Sequence, residues 1–201
     1  MRSLYSFIIK PKDQRYNNKK KVGDSELILN TEMQNHQYVS RNGIVVQTPI
    51  NGKTGISIGD EVILHHNVFR RFYDVRGEEK NSYSFFNEDE YFVDPEQIYM
   101  YKKNGVWKPV DGYCFVKPLI NKDELNTSSR QDLTGVVKYV DNTLKKNGIK
   151  LNDLVGFTKD SEYEFVIDGD LLYRVPTSSI CIKYEYQGDE VEYNTSWLQG
   201  S

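Results

Sequence analysis

The sequence predicts an all-β protein made of two small β-barrels in tandem. Short segments rich in Val, Ile, Tyr and Phe alternate with turns of Gly, Pro, Asn and Asp, and the same series of segments occurs twice. Ala is absent from the 201 residues, whereas Tyr alone occurs 15 times. Because β-branched and aromatic residues favour strands, this composition argues against a helical fold. The only helical expectation is one short turn at Thr143 to Asn147.

Segments of the first half recur in the same order in the second half. The pairs are Ile9-Lys10-Pro11 with Val116-Lys117-Pro118, Asn42 to Val46 with Thr134 to Lys138, the start of Gly55 to Asp74 with Gly148 to Phe157, and Tyr91-Phe92-Val93 with Tyr173-Arg174-Val175. Each half also begins with a strand that is predicted to end at its proline. Such ordered self-similarity is typical of a repeat architecture in which loops differ in length.

The repeat predicts a first domain at 1–104, a second at 105–186 and a polar tail at 187–201. The junction is expected in the polar stretch Lys102 to Pro109, which contains Asn104-Gly105. The tail is polar and acidic apart from Trp197-Leu198, and it is either free or docked.

The sharpest difference between the halves is a long loop at 12–41 in the first domain. It carries three lysines, Lys19 to Lys21, and then the aliphatic run Leu27-Ile28-Leu29 within polar sequence. A loop of this length in a compact domain is usually functional or disordered. One interpretation is a mobile segment that docks its aliphatic residues into a partner's apolar groove and becomes ordered there. The other is one more strand of the barrel.

The first half resembles the GroES-type co-chaperonins, the ring-forming lids of chaperonins. The resemblance covers most of Tyr5 to Lys102. Phe7 to Lys10 resembles the opening strand of the family, and Leu27-Ile28-Leu29 lies where the family has the tripeptide of its mobile loop. Arg41 to Val46 and Ile58 to Ile63 resemble the two following strands. Glu90 to Val93, with Ile98, resembles the last strand. The second half, from Asp111 to about Tyr184, resembles the same fold more weakly, and its corresponding loop, Leu119 to Leu133, lacks the tripeptide.

The resemblance implies a function without catalysis. Leu27, Ile28 and Leu29 would bind a GroEL-type chaperonin ring, and several loops would act together in a homo-oligomeric ring, seven-fold in the family. The second barrel would lack a docking loop. The resemblance implies no cofactor, and the Tyr-, Asn- and Lys-rich composition suits a phage-encoded protein acting in the host cytoplasm.

Other candidate sites are weaker. His65-His66 would point to opposite faces of a strand, so a shared metal site is not expected. Cys114 and Cys181 are expected as packed, reduced thiols on neighbouring strands, in keeping with a cytoplasmic protein. The mixture of Arg70-Arg71 with Phe69, Phe72 and Tyr73 is typical of single-strand nucleic-acid sites, but equally of a strand with aromatic residues inside.

Charge and motifs exclude several function classes. The net charge of -3 and the pI near 5.7 do not favour nucleic acid. Glu78-Glu79 and Glu88 to Glu90 are expected as solvated charges, and no phosphate loop or nucleophile elbow is present, so no enzyme is expected. No stretch has the length of a membrane helix or the apolar core of a signal peptide. Two alternatives remain: a structural or virion assembly protein built on the same barrel, and an OB-like nucleic-acid binder.

Overall fold

The computed structural model describes residues 3–16, 19–22, 25–28, 38–52, 54–120, 130–185 and 192. It divides the chain into two compact units, Met1–Trp107 and Lys108–Ser201. The division lies inside a strand that follows the Asn104-Gly105 turn. The stretch predicted as a polar junction is therefore a paired β-hairpin, in which Asn104 and Gly105 have φ values of 51° and 78°. Positive φ at both turn positions is typical of a tight hairpin.

Strands dominate the first unit. They are β1 (Phe7–Pro11), β2 (Lys19–Val22), β3 (Ser25–Ile28), β4 (Asn42–Gln47), β5 (Glu61–Leu64), β6 (Arg71–Tyr73), β7 (Glu79–Asn81), β8 (Phe85–Asn87), β9 (Glu90–Val93), β10 (Ile98–Lys103) and β11 (Val106–Pro109). Seven of them form one sheet in the order β11-β10-β5-β4-β1-β9-β8, and β2-β3 and β6-β7 form separate two-stranded sheets.

Among its described residues, the second unit contains six strands, one short α-helix and a 3-10 turn at Thr177–Ser179. The strands and the α-helix are β12 (Tyr113–Ile120), β13 (Arg130–Tyr139), α1 (Asn142–Lys146), β14 (Leu154–Phe157), β15 (Tyr163–Ile167), β16 (Asp170–Pro176) and β17 (Ile180–Tyr184). The sheet has the order β15-β16-β12-β13-β14-β17. The all-β class is thus confirmed, and α1 lies where a single helical turn was predicted.

Both units have the same strand order. Apart from β11, the first sheet reads β10-β5-β4-β1-β9-β8, and the second reads β17-β14-β13-β12-β16-β15 from the corresponding edge. The registers also agree: Lys10 pairs with Ile44 and Pro11 with Gly43, as Lys117 pairs with Val136 and Pro118 with Gly135. Ile9 pairs with Tyr91, as Val116 pairs with Tyr173. The sequence matches therefore identify residues at equivalent places in two sheets.

The buried positions correspond as well. Equivalent core residues, each at most 8% exposed, are Phe7 and Cys114, Ile9 and Val116, Val45 and Val137, Val62 and Val155, Tyr91 and Tyr173, and Val93 and Val175. A Cβ on Gly43 would lie 2.5 Å from Ile9 Cγ2, and one on Gly135 would lie 2.9 Å from the Lys117 carbonyl oxygen. Both glycines are therefore required by the close approach of the neighbouring strand.

The sequence predicts two closed barrels, whereas the strand pairing shows two open sheets. Among the described residues, neither sheet joins its two edge strands, so neither closes into a barrel. The prediction that each opening strand ends at its proline is wrong for β12, which continues to Ile120. This is permitted because β16 pairs with Tyr113 to Val116 only, so the missing amide hydrogen of Pro118 removes no bond to that strand.

Candidate functional site

The long loop of the first unit contains a β-hairpin. β2 and β3 are antiparallel and pair Lys19 with Ile28 and Lys20 with Leu27. In the described residues this pair forms a sheet of its own, separate from the seven-stranded sheet. The alternative of one more barrel strand is therefore wrong for β3, although the segment is a strand. The third predicted docking residue, Leu29, lies outside the described residues.

Backbone contacts join the two ends of this loop, residues 15–16 and 39–40, which we call its root. Tyr16 and Val39 form an antiparallel bridge, and the Ser40 amide donates to the Arg15 carbonyl at 3.0 Å. Tyr16 is 8% exposed and Val39 is 2% exposed, so the root is packed into the first unit. The loop therefore begins and ends at one fixed point.

Two side chains fasten the root to the segment that leads into β6. Arg15 Nε donates to the Phe69 carbonyl at 2.7 Å, and the Arg71 amide donates to the Tyr16 hydroxyl at 2.6 Å. The Arg15 guanidinium also lies 5.1 Å from the ring centroid of Tyr91, at cation–π distance. Burial lowers the pKa of Arg15 and raises the pKa of Tyr91. Sequence reasoning missed these anchors, because a lone Arg-Tyr pair in a polar loop follows no pattern.

The second unit has a related arrangement at the corresponding loop. Arg130 follows the undescribed residues 121–129, lies 5.7 Å from the ring centroid of Tyr173 and donates to its hydroxyl at 2.8 Å. Arg130 also pairs with Glu164. Tyr91 and Tyr173 are equivalent. In each unit, therefore, an arginine at the end of the loop lies at cation–π distance from the tyrosine at this position. The predicted lack of a docking loop here falls on residues 121–129 and stays a prediction.

One residue of the tail docks on the second sheet. Glu192 forms a bridge with Leu119, and its carboxylate lies 2.5 Å from Lys138 Nζ and 3.4 Å from Lys117 Nζ. Lys117 also contacts Asp170 at 2.9 Å, and its side chain is 8% exposed. Burial raises the pKa of Glu192, but the hydrogen bonds and charges of the two lysines outweigh it and hold this pKa below its ordinary value. The tail is therefore docked at this point.

His65 and His66 do not lie on a strand, contrary to the prediction. β5 ends at Leu64, so His65 and His66 lie in the following turn and not on a strand. Their rings stack with centroids 4.3 Å apart, and both are half-buried. His65 Nδ1 accepts a hydrogen bond from the Asn67 amide at 3.1 Å. In the part of the chain that the structure describes, no three His, Cys, Asp or Glu side chains form a group that could hold a metal.

The two cysteines lie apart in the sheet. β12, which carries Cys114, and β17, which carries Cys181, are separated by β13 and β14. Both thiols are free, but Cys114 alone is buried, and the expectation of a packed Cys181 is wrong because β17 is an exposed edge strand. Burial raises the pKa of the Cys114 thiol to about 12, so this sulfur stays protonated at neutral pH.

The mixed basic and aromatic segment Phe69 to Tyr73 is buried at one end and exposed at the other. Phe69 is fully buried, whereas Tyr73 is 45% exposed. Arg71 Nη1 lies 3.0 Å from a Glu79 carboxylate oxygen, and Lys80 Nζ lies 2.7 Å from Glu78. Glu78 and Glu79 therefore neutralise neighbouring cations of the β6–β7 hairpin. Glu88 and Asp89 lie in an exposed turn, as predicted for solvated charges.

Comparison with protein-family models finds no match, and none of the curated proteins matches the chain. Within the described ranges, no helix combines the length and the apolar character that crossing a membrane requires.

Proposed function

We propose that the protein is a co-chaperonin that caps a chaperonin ring through the β2–β3 hairpin, without catalysing a reaction itself. The observation that carries this proposal is the placement of Leu27 and Ile28 on a hairpin that belongs to neither main sheet and starts from a fixed root.

The chemistry of the hairpin suits an apolar groove with an acidic rim. Leu27 and Ile28 lie opposite Lys20 and Lys19, so aliphatic and basic residues occur side by side. Neighbouring residues of a strand lie on opposite faces, so each face of the hairpin carries one aliphatic residue beside a lysine; in the proposal the aliphatic residue enters a groove between helices, and the charge at its rim orients the approach. If several copies of the chain form a ring, weak docking of each hairpin sums to tight capping.

The repeated sheet also supports the proposal. The strand pairing shows two open sheets with the same strand order. We propose in addition that both sheets close into GroES-like barrels in the assembled protein, and that the second barrel has a structural role. The first unit then carries the docking element, and the second adds a roof or wall to the ring.

The test is a triple variant, Leu27→Ala, Ile28→Ala and Leu29→Ala. We expect the parent to inhibit the ATPase of a GroEL-type chaperonin and to support refolding of a client, and the triple variant to lose about tenfold or more in apparent affinity. The matched control is Leu4→Ala, Val106→Ala and Leu151→Ala, which removes three other aliphatic side chains, each more than half exposed. Equal inhibition and refolding by the parent and the triple variant would show that the hairpin does not dock. A folded oligomer that never binds chaperonin would favour the alternative, a structural or virion assembly protein.

A further inference from the structure

A groove beside the β6–β7 hairpin has the character of a small-molecule site. Its volume is about 580 Å³, within the range of ligand pockets. The lining residues combine aromatic rings, amides, hydroxyls and one cation, and they include Arg70, Tyr73, Ser82, Tyr83 and Gln97. No carboxylate is among them. All of these residues belong to the first unit, and the docking hairpin contributes none of them.

The aromatic side of the groove is exposed to an unusual degree. The side chain of Tyr83 is fully exposed, at 102%, and Tyr73 is 45% exposed. A ring that packs against nothing in its own protein costs solvation free energy and offers a flat face to a ligand. Flat rings stack on such a face, and this contact tolerates many ring types.

The cation of the groove is Arg70. Its Nε is buried and has no hydrogen-bond partner within the described part of the chain. A buried donor without a partner is costly, and Arg70 as a whole is half-buried, so the rest of its side chain is open to the groove that it lines. A planar guanidinium is well matched to a carboxylate or a phosphate, which accept two parallel hydrogen bonds.

The backbone of this wall is held in place before any ligand arrives. The Arg70 carbonyl accepts from the Ser82 amide at 3.1 Å and from Arg15 Nη2 at 3.4 Å. Ser82 Oγ donates to the Val68 carbonyl at 2.6 Å, and Gln97 Oε1 accepts from the Asp94 amide at 3.0 Å. Such preorganisation lowers the entropic cost of binding.

We propose that this groove binds a small molecule in which a flat ring carries one anionic group, a phosphate or a carboxylate. The ring stacks on the tyrosines and the anion pairs with Arg70. A long polyanion is disfavoured, because the acidic turn Asn87 to Glu90 lies in the same unit and the chain carries a net charge of -3.

The test is titration calorimetry of the full chain with uridine 5′-monophosphate, 4-hydroxybenzoate, uridine and inorganic phosphate. We expect saturable binding of at least one of the two ring anions, and weaker binding of uridine and of inorganic phosphate. Saturation by the nucleotide alone identifies phosphate as the preferred anion, and saturation by the benzoate alone identifies carboxylate. Either result supports the proposal.

Three variants locate the site. Arg70→Gln and Tyr83→Ala are each expected to weaken binding of the ring anion about tenfold. Arg76→Gln removes an exposed arginine of the same hairpin that does not line the groove, and it should leave binding unchanged. Because Tyr83 is fully exposed, its replacement keeps the test valid even if Arg70→Gln impairs folding.

The proposal is overturned if neither ring anion saturates the protein by about 10 mM, which marks the weak end of specific binding. It is also overturned if Tyr83→Ala binds as well as the parent. A single-stranded oligonucleotide that binds far more tightly than the mononucleotide, with strong salt dependence, would replace it by a nucleic-acid site. None of these outcomes depends on the chaperonin, so they leave the proposed function untouched.

Discussion

At the scale of single residues, two carboxylates that the sequence does not mark hold the second unit together: Asp141, which is buried, and Glu192, which is half-buried. Asp141 is 2% exposed and caps α1 by accepting from the Leu144 amide at 2.8 Å. The same side chain accepts from the Gly112 amide and from Thr177 Oγ1, both at 3.0 Å. One carboxylate therefore joins three segments that are distant in the chain.

We predict that Asp141→Ala lowers the free energy of unfolding by about 3 kcal/mol, since it removes a helix cap and leaves buried donors unpaired. Urea denaturation measures this effect. Asp132→Ala, at an exposed position of β13, is the matched control and should change stability little. A loss below about 1 kcal/mol would mean that water satisfies these donors equally well.

The second contact makes tail docking dependent on pH. Because the pKa of Glu192 is held below its ordinary value of 4.5, the ionised form stabilises the fold. This stabilisation is complete above the pKa of the unfolded state and is lost as the pH falls through the lower folded pKa. We predict that Glu192→Gln lowers the melting temperature by a few degrees at pH 7, and that this difference shrinks progressively as the pH falls below 4.5. Glu185→Gln, at an exposed position beside the tail, should have little effect at either pH, and a pH-independent difference for Glu192→Gln would contradict the account.

At the scale of elements, the repeat was predictable and the inserted hairpins were not. Equivalent strands share buried Val and Tyr positions, so pattern matching identified which segments of the two halves correspond. β6 and β7 are short and their side chains are mostly exposed, so no alternation of apolar residues marks them. The segment around Leu27 stood out by its aliphatic residues, but its pairing with a lysine-rich strand leaves no hydrophobic pattern either. Arg15, Tyr16 and Glu192 act through contacts between distant segments, which a single sequence does not encode locally.

The register of the β2–β3 hairpin gives an element-scale prediction. Lys21 and Glu26 are direct partners in the β2–β3 pair, so their Cα atoms lie within the range that a disulfide spans. In a Cys181→Ser background, Lys21→Cys with Glu26→Cys should form a disulfide on mild oxidation, measured by thiol titration and peptide mapping. Lys20→Cys with Glu26→Cys is shifted by one residue and places the thiols on opposite faces, so it should oxidise slowly. Similar oxidation of both pairs would contradict the hairpin.

At the scale of the whole molecule, one strand order is used twice and only one copy has a described hairpin in its first loop. The equivalent loop of the second copy is shorter in sequence, and its residues 121–129 lie outside the described residues. The account then predicts a protein whose assembly, and not its chemistry, carries the function.

The most direct test of this claim is the native mass of the protein, alone and mixed with a GroEL-type chaperonin, with and without ATP. The account predicts a ring-sized homo-oligomer that joins the chaperonin only when nucleotide is present, and it predicts that the Leu27, Ile28 and Leu29 triple variant keeps the oligomer but loses the joint complex. A protein that stays separate from the chaperonin under every nucleotide condition would contradict it.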